Sequence, residues 1–348
     1  MSYENYYSIY LYQNFINAPI NIKNEESTFN ILFSIIIYCN KNDFLEKTLY
    51  SIINQNMKNY EIIIIYDSDN KFELTQITNL ISNCKKVKII NNKKIGLLNS
   101  YFSGILESKG QYILTIKSGY TLATENVLNE LFNYIEKNVE ILEFNLLINK
   151  GESIKNNSLE LYKCSHFQSK INTDLIKYNK KYKNIDIEKE LLINKFVRSD
   201  IYRDIINEFN QKFYGKILYN FYDDIISYII KKKGYTIKHI KIFGIIEYTT
   251  RIKDIYLNII NKNNKMQAIK DTLFFINFLY DYSNNTKEDK QFAINELYNN
   301  LNIIFSKYNK NSNETTKIIN NFLNSNYISQ NDKINLKLYY NSLNKLIK

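Results

Sequence analysis

Between residues 31 and 147 the chain switches repeatedly between two kinds of hydrophobic pattern. Four short runs, Ile31–Cys39 (ILFSIIIYC), Tyr60–Asp67 (YEIIIIYD), Val87–Asn91 (VKIIN) and Tyr112–Lys117 (YILTIK), are β-branched and almost continuously apolar. That is the pattern of strands covered on both faces. The segments between them, Asp43–Asn54, Phe72–Ser82 and Leu97–Ser108, space their apolar residues at i, i+3 and i+4, which gathers them on one stripe of a helix. Strand alternating with helix predicts an α/β fold with a parallel sheet and right-handed crossovers. In such sheets a ligand sits beyond the carboxyl ends of the strands. The positions to weigh are therefore Tyr38–Asn42, Tyr66–Asn70, Asn92–Gly96 and Lys117–Thr121.

A helix over Glu125–Lys137 and a fifth strand within Val139–Leu147 extend the pattern. Lys150–Asn184 is polar and weakly periodic, and reads as loop or irregular structure. Helical spacing returns in Ile187–Phe196, Ser199–Phe209 and Asp223–Lys232, and the apolar run Tyr235–Tyr248 reads as one or two strands. From Ile252 to Lys348 the spacing is helical, broken near Ser283–Thr286, Lys310–Asn313 and Ser325–Ser329. The expected organisation is an N-terminal extension over 1–29, an α/β domain over 30–250 and a helical region over 251–348.

Composition narrows the class. One proline and eight glycines among 348 residues exclude collagen-like and linker-like chains, and 31 Tyr with 20 Phe exclude a disordered one. Cys39, Cys84 and Cys164 are widely spaced and form no CxxC pair, as expected of free thiols in a reducing compartment. Two histidines, His166 and His239, are too few for a His-rich metal site. No apolar run reaches the roughly 18–20 residues that span a bilayer, and Met1–Tyr12 lacks the basic and apolar regions of a signal peptide. The sequence reads as soluble and cytoplasmic.

Charge changes the picture in the second half. Residues 1–150 carry 14 basic and 15 acidic side chains, whereas residues 151–348 carry 32 and 20. A basic C-terminal region suits a protein partner, a peripheral anionic membrane or a phosphate-bearing ligand, although a solvated Lys-rich face gives the same count. Nucleic acid is disfavoured, because the basic residues are dispersed among Asn and Glu and no nucleic-acid motif appears.

A set of short motifs then carries a resemblance. Phe33–Ile37 (FSIII), Phe44–Leu45, Ser51–Asn56 (SIINQN), Asn59–Ile65 (NYEIIII), Lys86–Asn92, Gly96–Leu98, Gly104–Ile105 and Lys109–Leu114 (KGQYIL) follow one another at fixed spacing. Ile193–Ile206 (INKFVRSDIYRDII) and Tyr222–Ile230 (YDDIISYII) continue the series. Together they resemble family 2 glycosyltransferases, most nearly the bacterial enzymes that build surface polysaccharide and lipooligosaccharide. The resemblance implies a GT-A fold over about residues 30–250, with a Rossmann-like nucleotide half and an acceptor half. It also implies a nucleotide-sugar donor, a glycan acceptor and, usually, a divalent cation held by an Asp-x-Asp motif. On this resemblance Asp224 matches the general base, and Asp67 matches one of an acidic pair that contacts the donor's base and ribose. Tyr38, Asn40, Tyr66, Lys94, Gly96 and Ser118 fall at the family's nucleotide-sugar-binding positions.

The departures from the family pattern are as informative. Where the fourth strand should end in Asp-Ser-Asp-Asp, it ends in Lys117-Ser118-Gly119-Tyr120. The first Asp after the second strand is Tyr66, and the Pro-x-Tyr-Asn turn has become Tyr38-Cys39-Asn40-Lys41. A hard cation needs oxygen ligands, which an ammonium neither supplies nor tolerates, so no metal is expected as a cofactor. Two readings follow: a degenerate, non-catalytic or scaffolding GT-A protein, or a metal-independent inverting glycosyltransferase. In the second, Lys117 stands in for the metal, helped by Lys41, Lys93 or Lys94, and Asp224 acts as base. Asp223 and Asp224 could equally just begin a helix, where negative charge is favoured. Cys39 lies near the rim but has no His close in sequence to activate it.

Overall fold

The computed structural model describes residues 31–39, 44–67, 71–82, 84–92, 96–135, 139–149, 159–162, 192–213, 218, 222–247, 271, 274–275 and 278–279. The chain divides into two compact units, Met1–Ile217 with Tyr222–Arg251, and Leu218–Phe221 with Ile252–Lys348. In the second unit Asp271, Phe274, Phe275, Phe278 and Leu279 are helical, and the Phe275 and Phe278 rings stack 6.5 Å apart. The expectations for residues 1–29 and for most of 251–348 lie outside the described residues. No helix among the described residues is long and apolar enough to cross a membrane.

The first unit is built on a nine-stranded sheet. Strand β1 (Phe33–Cys39) is buried at every position, because it lies between β2 (Tyr60–Tyr66) and β4 (Tyr112–Lys117), both parallel to it. Strand β3 (Val87–Asn91) adds in parallel to the outer side of β2. Beyond β4 the sheet continues through β8 (Lys195–Arg198), β6 (Ile141–Asn149) and β9 (Ile237–Glu247) to β5 (Tyr120–Leu122), with β7 (Leu159–Tyr162) also pairing β6. Strand β8 is antiparallel to both neighbours, which marks the seam between the parallel nucleotide-type half and the mixed half. The helices are α1 (Leu45–Ile53), α2 (Lys71–Ile81), α3 (Leu97–Glu107), α4 (Val127–Phe132), α5 (Ser199–Phe213) and α6 (Tyr222–Lys233).

This is the expected α/β architecture, and the first four strands fall where the apolar runs put them. Three details differ. Lys195–Arg198 is a strand and Leu192–Asn194 a turn, where the spacing suggested the end of a helix over Ile187–Phe196. The apolar residues there fit either period, and pairing with β4 and β6 decides for strand. Lys150–Asn184, read as loop, contains β7, a four-residue strand too short to leave a periodic signal. Strand β5, only three residues long, was equally invisible.

Two polar clamps explain motifs that packing alone does not. Ser51 and Gln55 lie one helical turn apart, and both are fully buried. Ser51 Oγ accepts the Leu122 N–H at 3.0 Å. The Gln55 amide donates to Thr124 O at 2.6 Å and accepts the Leu128 N–H at 3.1 Å. The last turn of α1 and the residue just past its C-cap therefore fix the whole connection from β5 to α4, satisfying buried backbone groups that would otherwise be costly. In the second clamp Ser34 Oγ donates to Glu61 Oε1 at 2.5 Å and accepts the Gly110 N–H at 2.8 Å. It pins the start of β4 against β1 and β2.

Candidate functional site

The parallel register aligns the carboxyl ends of four strands. Tyr38 stands opposite Ile65 on one side and Lys117 on the other, while Cys39 pairs Tyr66 and Tyr66 pairs Asn91. Backbone bonds extend this rim past the strands, with Asp67 N donating to Cys39 O, Asn92 N to Tyr66 O and Ser118 N to Tyr38 O, each at 3.0 Å. The strand ends picked out from the sequence thus converge on one edge. Asn40, Lys41, Lys93 and Lys94 lie outside the described residues.

Along this rim Asp67 is almost buried, and its Oδ2 accepts the Tyr38 hydroxyl at 3.1 Å. Tyr38 thereby fixes the carboxylate to which the resemblance gives a part in donor recognition. Tyr66 is wholly buried within the core cluster, so its ring packs rather than lines the rim. Gly96, at φ 86, begins α3 and accepts the Ser100 N–H at 3.0 Å. Ser118 and Lys117 are half-buried. Gly119 turns the chain with φ 97, and its N–H donates to Thr48 Oγ1 at 2.9 Å.

Behind the rim a tyrosine layer excludes water. The Tyr101 ring lies 5.9 Å from Tyr38 and 4.4 Å from Tyr222. The Tyr101 hydroxyl donates to Ile116 O at 2.8 Å and the Tyr222 hydroxyl to Thr115 Oγ1 at 3.2 Å. Burial raises the pKa of Tyr101 and of Tyr222 well above the ordinary value and that of Tyr202 up to about 12, so these three phenols stay neutral. Tyr222 is the first residue of α6, and its anchoring on β4 delivers Asp223 and Asp224 to the same end of the sheet as Lys117.

The two aspartates have different surroundings. Asp223 Oδ1 accepts the Leu192 N–H at 2.9 Å. Burial raises its pKa, and the opposing influences are Lys117 first, then the Leu192 N–H and, more weakly, Lys195. Asp224 is half-buried, as Asp223 is, but its side chain has no hydrogen bond or ion pair among the described residues. Sequence reasoning named Asp224 and missed Asp223 as the carboxylate in the field of Lys117. The signal that could have found it is the adjacency of two carboxylates at a helix start, where one must turn inward.

The raised pKa makes a stability prediction. The folded state holds the Asp223 proton more tightly than the unfolded chain does. Stability is therefore lost as pH rises from the ordinary Asp value through the folded one. Asp223→Asn keeps an oxygen for the Leu192 N–H and removes the charge. It should melt higher than the parent at pH 7, with the difference fading below about pH 4, near the ordinary carboxylate range. A melting temperature unchanged at pH 7 would show that the carboxylate is not penalised there.

A divalent cation does not fit this rim. Lys117 brings an ammonium, Gly119 has no side chain, and no three His, Cys, Asp or Glu side chains gather as a metal site among the described residues. Cys39 is fully buried, which removes it as an exposed nucleophile. His239 lies with its Nδ1 3.3 Å from Glu143 Oε2, and His166 is outside the described residues.

Comparison with known proteins agrees with this geometry. Residues 34–205 match the family model described as glycosyl transferase family 2. No curated protein matches the chain. Among solved structures, S. aureus TarS 1–349 in complex with UDP-GlcNAc aligns with TM-score 0.54 at 13% identity, over 86% of this chain and 82% of that one. The same protein without a named ligand aligns with TM-score 0.50 at 15% identity, over 84% and 79%. At such identities the likeness is one of fold.

Proposed function

With residues 34–205 the chain belongs to the family 2 glycosyltransferases and has their GT-A fold, and we propose that it binds a nucleotide-diphosphate sugar at the strand rim without a divalent metal. The observation that carries this reading is the placement of Lys117 at the carboxyl end of β4, in electrostatic contact with Asp223. A lysine ammonium is a recognised phosphate partner. Asp67, held by Tyr38, is suited to the nucleoside end of the donor. Likeness to TarS, which has been crystallised with UDP-GlcNAc and with UDP, favours a uridine nucleotide.

Transfer would proceed by in-line displacement. Asp224 takes the proton of a glycan acceptor hydroxyl as its oxygen attacks the anomeric carbon, and the bond from that carbon to the diphosphate oxygen breaks. Lys117 offsets the charge that appears on the leaving diphosphate. A non-catalytic, scaffolding role is the second reading, favoured by one observation. Asp67 and Asp223 already accept hydrogen bonds from within the protein, so two of the acidic groups are satisfied without a ligand.

Calorimetric titration with UDP, GDP and CDP, each with chelator and with Mn²⁺, tests the proposal. UDP should bind equally in both conditions. Binding that appears only with Mn²⁺ would overturn the metal-free reading, and no binding of any nucleotide would leave the scaffold.

A further inference from the structure

Three ionisable side chains that this chemistry does not use lie side by side across the sheet. The register sets Glu143 of β6 directly beside Lys195 of β8 and His239 of β9. Lys195 Nζ is 3.1 Å from Glu143 Oε1 and donates to Asn194 Oδ1, also at 3.1 Å. The second Glu143 oxygen faces His239 Nδ1 at 3.3 Å. Glu143 is fully buried and Lys195 is 3% exposed. Removing two such ions from water is costly, and apolar side chains of similar volume are often at least as stable. Stability alone does not account for the row.

A single turn joins the row to the rim. Asp223 Oδ1 accepts the Leu192 N–H, and the Lys195 N–H donates to Leu192 O at 2.9 Å. Carboxylate and lysine thus hang from the two sides of one residue's backbone. Among the described residues, the charged and titratable groups facing Asp223 are Lys117 from β4, Lys195 from β8, Asp224 on its own helix, Tyr101 from α3 and Tyr202 from α5. The two ammoniums favour the carboxylate, whereas burial and Asp224 oppose it.

We propose that the Lys195–Glu143–His239 row is a positioning device for Asp223, pinning Lys195 beneath the turn and so fixing the charge of the carboxylate that faces Lys117. The row itself needs no nucleotide. Its consequence for ligands rests on the proposed function: an ionised Asp223 repels a diphosphate beside Lys117, and a protonated one does not. The row therefore sets the pH at which the rim accepts an anion.

The test is carboxyl NMR of the full chain labelled with ¹³C-aspartate, with the Asp223 signal assigned by its loss in Asp223→Asn and titrated without nucleotide. In Lys195→Met the midpoint should move to higher pH, and Lys195→Arg should return it to the parent value. Lys195→Met leaves Glu143 buried without its partner and can fail to fold. The charge-neutral Lys195→Met/Glu143→Gln pair covers that case, and its midpoint should shift the same way by less. A folded double variant whose Asp223 titrates as in the parent overturns the proposal. A parallel series of UDP affinity against pH, in chelator, should shift in step with the NMR midpoint. Absence of UDP binding at every pH would remove the nucleotide reading, while the NMR midpoints still judge the row.

Discussion

Lys117→Ala should weaken UDP binding in chelator by about 10- to 100-fold and lower any sugar transfer or donor hydrolysis by about 10²–10³. The binding figure follows from losing one charge-assisted contact in a partly buried site, about 1.5–3 kcal/mol. The larger figure for turnover follows because the leaving diphosphate gains charge that a preorganised cation must meet. Lys117 is suited to that task because it is half-buried at a fixed strand end, with the tyrosine layer behind it limiting water. A mobile surface lysine would contribute far less. Asp224→Asn, made alongside, should spare UDP affinity and lower turnover by about 10²–10⁴, the range for removing a general base. If both variants bind and turn over as the parent does, the assignment of this rim is wrong. If the parent binds UDP but shows no turnover, the scaffold reading holds.

Gly110→Ala should destabilise the first unit strongly. A Cβ at Gly110 would lie 2.5 Å from Ser34 Oγ, 2.6 Å from Ser34 N and 2.8 Å from Phe33 C. Two of these are backbone atoms of the fully buried central strand, which cannot move aside. The hydroxyl is held on Glu61 and on the Gly110 N–H itself. Overpacking of this kind costs about 3 kcal/mol, or roughly 6–12 °C in melting temperature for a domain of about 200 residues. Gly104→Ala is the control, because its new methyl would meet Ile36 Cγ2 at 2.7 Å and Ile65 Cδ1 at 2.9 Å. Those are side-chain atoms rather than backbone, so its loss should be smaller. Equal melting temperatures for the two variants would contradict the clamp at Ser34.

These cases also show what could be read before the fold was known. Strands β1 to β4 were legible because each is a buried parallel strand, and its apolar run survives without reference to anything distant. Their carboxyl ends gave Asp67, Lys117 and Ser118 directly. The Tyr38–Asp67 bond was not legible, since it joins two strand ends 29 residues apart by a geometry only the register fixes. The row across β8, β6 and β9 was further out of reach. Glu143, Lys195 and His239 look like ordinary surface residues until three distant strands are set side by side. Asp223 was passed over for the same reason, its partner being a backbone N–H of a turn that the helical spacing had concealed.

The backbone at Gly119 bears on whether this site could return to metal chemistry. In the family pattern the second acidic residue of the motif falls there, yet here φ is 97, a region open to glycine and costly to side chains with a Cβ. The strain cannot be shed by a small local adjustment, because the neighbouring amides are fastened to Tyr38 O, Thr48 Oγ1 and Ser51 Oγ. An aspartate introduced at this point would have to re-route the chain before it could reach an ion. The main chain at this point thus suits glycine rather than an acidic residue. Restoring an acidic pair at this strand end would take a change of backbone as well as an exchange of side chains.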